Sequence, residues 1–96
     1  MNWTLQAQRR LQKLHKYIAK DQPLNADHFI DRLTRYAATL GDNPQAWPRV
    51  PKYMREDLRY ASFGEYRIIF LILLDRIDIL AVRHTARLMP TRLRNL

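Results

Sequence analysis

Few residues of this chain can do chemistry on another molecule, and most of them lie in its second half. There is no cysteine, which removes thiolate nucleophiles, disulfides and cysteine-ligated metals together. Two glycines cannot build a phosphate-cradling loop. His15 and His28 are not spaced from each other or from a carboxylate as metal ligands would be, so no metal and no cofactor is expected. What remains is His84, flanked by Arg83 and Arg87, with Arg67 earlier in the chain. An imidazole titrates near neutral pH and can act as general acid or base, and guanidinium groups hold phosphate or carboxylate through planar, bidentate contacts. Glu56 and Glu65 are carboxylates that could accept a proton in such a group. Each residue also has a structural reading. A histidine at a strand end commonly serves the fold through its hydrogen bonds. An arginine buried in a central strand needs a carboxylate, for which Asp57, Asp75 and Asp78 are available.

The elements that must position these residues follow from hydrophobic periodicity. Ala7, Leu11, Leu14 and Ile18 recur at spacings of four, three and four, the pattern of an amphipathic helix. Arg9, Arg10, Lys13 and Lys16 fall on its other faces and read as its wet side. Asp21, Gln22 and Pro23 interrupt it, and Asn25 is placed to cap a second helix that turns Phe29, Ile30, Leu33, Ala37 and Leu40 inward. Gly41 is placed to end that helix, and the short break between the two predicts an antiparallel hairpin. Pro44, Pro48 and Pro51 predict an irregular loop over residues 42–52, anchored by Trp47.

Beyond the loop the period falls to two. Met54, Leu58 and Tyr60 alternate with Arg55, Asp57 and Arg59; residues 62–64 turn the chain into a strand over 66–74; Asp75 and Arg76 turn it again into 77–82. Residues 2–5 could add an edge strand. The expected fold is α+β, in the order βααβββ, with the helical hairpin packed on one face of a small antiparallel sheet. Residues 68–74 carry apolar side chains on both faces, so the second face also needs cover. Leu88, Met89, Leu93 and Leu96 of a C-terminal tail over 88–96 could supply it, or a partner segment that orders on binding.

At 96 residues the chain is expected to form one domain over 1–96. Its formal charge of +8 favours a polyanionic or acidic partner without choosing among them. The longest apolar run, 68–74, is far short of the roughly 18 residues a membrane helix needs, and no signal-peptide pattern opens the chain. A cytoplasmic protein without membrane contact is expected.

Taken together, Trp3-Thr4 before an Ala7-led helix, a second helix near Ala26 with Phe29 and Ile30, the proline loop and Leu58-Arg59 form the first half of a longer pattern. Gly64-Glu65-Tyr66-Arg67-Ile68-Ile69-Phe70 and Val82-Arg83-His84-Thr85-Ala86-Arg87 complete it. The whole resembles the RelE/ParE superfamily of toxins from type II toxin–antitoxin systems. The Tyr-Arg-Ile-Ile-Phe strand is shared by both branches, whereas His84-x-x-Arg87 is similar to the ParE-type branch. The resemblance implies a toxin that a co-expressed antitoxin neutralises, with operator DNA contacted only indirectly, through that antitoxin. ParE-type toxins are associated with inhibition of DNA gyrase, and RelE-type toxins cleave messenger RNA in the ribosomal A site. One fold thus carries two classes of function, and only the site can separate them.

In RelE-like toxins the strand before the Tyr-Arg strand presents two lysines, and a tyrosine follows the last strand. Here Arg55 and Asp57 stand at the lysine positions, and Tyr66 is the last tyrosine of the chain. His84 could replace the missing acid, with Arg67 and Arg87 as phosphate clamps and Glu56 or Glu65 as base. That assembly is the alternative reading, a ribosome-dependent endoribonuclease. The leading expectation is a ParE-like toxin with no enzymatic site, which inhibits gyrase by binding. A second alternative is a non-toxic co-repressor subunit. Antitoxin contacts are expected at Arg59, Arg67, Ile69, Arg83 and Arg87, with the apolar strand supplying affinity and the arginines orienting association.

Overall fold

The computed structural model describes residues 1–87 and 89–96, with Arg94 described in its backbone alone. A two-residue strand β1 (Asn2–Trp3) leads into helices α1 (Leu5–Ala19) and α2 (Pro23–Thr39), followed by strands β2 (Leu58–Phe63), β3 (Tyr66–Ile72) and β4 (Ile77–His84). This is the expected βααβββ order. The last three strands form the antiparallel meander, but β1 runs parallel to β4, so the sheet is mixed rather than wholly antiparallel, in the order β1-β4-β3-β2. The helical hairpin supplies the crossover that a parallel neighbour requires.

Thr4 locks the entry of the chain. Its hydroxyl accepts from the Ala7 amide at 3.2 Å and donates to the Ile79 carbonyl at 2.9 Å, capping α1 and tying it to β4 in one residue. α2 begins at Pro23, earlier than an Asn25 cap would have it, because a proline at the first helical position lacks only an amide that has no partner there. Gly41 does not stop α2 in a left-handed conformation. The helix tightens instead into a 3-10 turn over Leu40–Asp42, and only Gly64 among the glycines has a positive φ, at the β2–β3 turn. The proline loop is less irregular than its composition predicts, since Pro44 opens a second 3-10 turn over Pro44–Ala46 and Arg49 bridges to Arg59. Trp47 does anchor it, edge-on to Tyr36 with ring centroids 6.1 Å apart.

The main core lies between hairpin and sheet, built on Leu33, Leu40, Ile68, Phe70 and Ile79. A second core lies on the opposite face around Leu58, Ile69 and Ala81, and the C-terminal tail closes it, with Leu96 buried and Met89 and Leu93 packed alongside. The chain's own tail therefore covers the face for which a partner was the other candidate; Leu88, expected to take part, lies outside the described residues. The Tyr53 hydroxyl donates to the Pro90 carbonyl at 2.6 Å, holding the tail in place. In β4 the register shifts opposite Ile69 and Phe70, so that Leu80 is an extra residue between Ile79 and Ala81. This bulge sets which face the rest of β4 presents. Ala81 belongs to the tail-side core and Val82 to the helix-side core, and alternation then carries Arg83 towards the tail and His84 towards the helices.

Candidate functional site

β1 pairs with β4 at Asp78 and Ile79, and among the described residues no strand lies beside the remainder of that β4 edge. α1 crosses there. Its apolar stripe, Ala7, Leu11 and Leu14, faces the core, which leaves Arg10, Lys13 and Tyr17 along the border facing the open edge. At the end of β4 the Thr85 amide donates to the Glu65 carbonyl at 2.8 Å and the Arg87 amide to the His84 carbonyl at 3.1 Å. That turn brings Arg87 back beside Arg83. The result is a pocket of about 520 Å³ between α1 and the end of β4, lined by Arg10, Lys13, Arg83 and Arg87 together with the rings of Tyr17, Tyr66 and His84.

The pocket is strongly electropositive. Burial, then repulsion from Arg10 and Arg87, lowers the Arg83 pKa from its usual value, yet an arginine starts so far above neutrality that it stays charged. Its guanidinium also donates to the Leu96 carbonyl at 3.4 Å, joining pocket and tail. The Nε of Arg10 is shut off from solvent with no hydrogen-bond acceptor among the described residues. Burial, and then neighbouring Tyr17 and Glu65, raises the Tyr66 pKa, so its hydroxyl is a neutral donor. His84 stands edge-on to Tyr66 with centroids 5.3 Å apart. Its Nδ1 accepts from the Ala86 amide at 3.1 Å. The neutral ring therefore carries its proton on Nε2, which lies 3.4 Å from Glu65 Oε2.

Of the residues proposed for phosphodiester cleavage, His84, Arg87 and Glu65 come together, and Arg67 does not join them. His84 and Arg87 share the pocket, but Arg67 projects from the other face, its guanidinium 4.7 Å from the centre of the Tyr60 ring, and Tyr60 packs on the tail-side core. Nor does Arg67 have, among the described residues, the carboxylate partner expected of a buried arginine. Asp57 is held by Arg55 at 2.9 and 2.7 Å and Asp78 by Arg76 at 2.9 Å; half-buried over an aromatic ring, Arg67 uses the ring's electron-rich face instead. The Arg55–Asp57 pair also neutralises the positions at which two lysines would clamp phosphate.

Two of the expected antitoxin contacts are not open surface. Ile69 is fully buried beneath the tail, a correction that follows from the tail's occupying the face left open in the sequence reading. Arg59 is only 13% exposed and donates to the carbonyls of Gln45, Trp47 and Glu56, which makes it a clasp on the proline loop. Arg67, Arg83 and Arg87 retain surface. Sequence reasoning missed Arg10, Lys13, Tyr17 and Tyr66 as one constellation. The 10, 13, 17 spacing beside Leu14 was the available signal, because it marks a basic and aromatic border along an apolar stripe, distinct from the outer face that carries Arg9 and Lys16.

No described helix is long and apolar enough to cross a membrane. No curated protein sequence is similar enough to this chain to count as a match. Among solved structures, a chain of the chromosomal ParDE toxin–antitoxin system from P. aeruginosa superposes with a TM-score of 0.74 at 15% identity, covering 86% of this chain and 91% of that one. At that identity the likeness is one of fold. The family model for the ParE toxin of type II toxin–antitoxin systems matches residues 1–89, nearly the whole sequence, and this chain therefore belongs to the ParE toxin family.

Proposed function

We propose that this chain is a toxin that acts by binding DNA gyrase and arresting it on DNA, and that a cognate antitoxin neutralises it. The observation that carries the choice of binding over RNA cleavage is the placement of Arg67 and His84 on opposite faces of the sheet. A general acid and its phosphate clamp must reach one phosphate together, and Arg67 is not among the residues that line the pocket holding His84 and Arg87. The neutralised Arg55–Asp57 pair supports the same reading. The antitoxin meets Arg67, Arg83 and Arg87, whose guanidinium groups steer and orient an acidic segment, while Ile69 and Arg59 support that surface from beneath. The complex contacts operator DNA through the antitoxin.

The test is direct. Purified protein should inhibit supercoiling of relaxed plasmid by gyrase and accumulate gyrase-cleaved DNA, and added antitoxin should restore supercoiling. Unaltered gyrase activity, together with cleavage of messenger RNA on ribosomes by the same preparation, would overturn the proposal in favour of the endoribonuclease.

A further inference from the structure

We infer that the pocket between α1 and the open end of β4 is a nucleotide-phosphate site, with Arg10, Lys13, Arg83 and Arg87 holding the phosphate and Tyr17 and Tyr66 flanking the attached ring. Four cations line one pocket, and Glu65, 3.4 Å from His84 at its edge, is 82% exposed. Such a cluster repels itself: burial first, and then repulsion from Arg10 and Arg87, lowers the Arg83 pKa. An anion carrying more than one charge relieves that repulsion better than the single charge of an acidic side chain.

Size and the aromatic rings extend the inference from phosphate to nucleotide. Small-ligand sites span roughly 300–1,000 Å³, and a pocket of about 520 Å³ is larger than inorganic phosphate needs. Tyr17 is 71% exposed at its rim and close enough to Tyr66 to influence its ionisation. Basic side chains interleaved with aromatic rings are the arrangement that binds phosphates and stacks on bases without reading sequence. A free nucleotide and a nucleic-acid strand share this chemistry.

The experiment is titration calorimetry at low ionic strength, with amide and tyrosine-ring NMR shifts to locate binding. The probes are AMP, adenosine, inorganic phosphate and a 5′-phosphorylated oligothymidylate. AMP or the oligonucleotide should bind saturably and shift Tyr66, His84 and Arg87, and adenosine should not. Equal affinities per site would identify a free nucleotide as the ligand, and tighter binding of the oligonucleotide a strand phosphate. Arg10→Gln with Lys13→Gln should weaken binding at least about tenfold, the loss of one or two charge-assisted hydrogen bonds. Arg9→Gln with Lys16→Gln removes the same charge from the outer face of the same helix and should leave affinity within about twofold by the same scale. Tyr17→Ala, on an exposed side chain, should bring AMP affinity down to that of inorganic phosphate. Absence of saturable binding by both AMP and the oligonucleotide, or equal losses in the two double variants, would overturn the inference. No readout involves gyrase or an antitoxin, so the result is independent of the function proposed above.

Discussion

Arg59 and Arg67 have the same side chain on neighbouring strands, and the structure assigns them different energetic weights. Arg59 satisfies three loop carbonyls while nearly buried. Removing it leaves those acceptors short of a charged donor, so Arg59→Ala should cost about 2–3 kcal/mol in denaturant unfolding. Arg67 has one cation–π contact, and Arg67→Ala should cost no more than about 1 kcal/mol. Equal losses would contradict this assignment. The Arg55–Asp57 pair adds a pH dependence. The hydrogen bond from Arg55 holds the Asp57 pKa below its usual value, so the pair's contribution is fully present above the unfolded pKa of about 3.9 and is lost as pH falls through the lower folded value. Both groups are well exposed to solvent, which keeps the contribution small. Arg55→Ala should therefore lose slightly less stability than the parent on acidification from about pH 5 to about pH 2. A larger acid loss in the variant would show that Asp57 is stabilised by something else.

At the scale of elements, two attachments should matter most. Thr4 caps α1 and donates to β4, so Thr4→Val should cost about 1–2 kcal/mol. Leu96 is 2% exposed over the second core, and Leu96→Ala should cost about 2 kcal/mol, the low end for a buried leucine because a chain terminus can resettle. An unchanged unfolding midpoint for Leu96→Ala would mean that the tail does not close that face in solution. The elements themselves were legible in the sequence because each carries its own pattern: the Ala7, Leu11, Leu14, Ile18 stripe for α1, and the short continuous apolar run from Ile68, bounded by turn residues, for β3. Their boundaries were less so, since Asn25 and Gly41 look like a helix cap and a helix stop but lose to Pro23 and to a 3-10 turn. The site was the least legible. Face alternation counted from Ile77 misassigns Arg83 and His84, because the bulge at Leu80 leaves no mark in composition. The meeting of Arg10 with Arg83 depends in turn on where β1 stops, a tertiary fact that no local pattern encodes.

For the molecule as a whole, a chain of +8 charge closes its apolar sheet face with its own tail and displays arginines at the end of that sheet. Such a surface suits recognition of acidic or nucleic-acid partners. The two mechanisms open to the superfamily block different processes in a cell, and the order in which those processes fail separates them. The most direct measurement is induced expression in a bacterium with pulse-labelled DNA and protein synthesis followed in parallel. Binding and arrest of gyrase predicts that DNA synthesis stops first, with induction of the damage response. Arrest of protein synthesis first, with DNA synthesis continuing, would contradict the gyrase account.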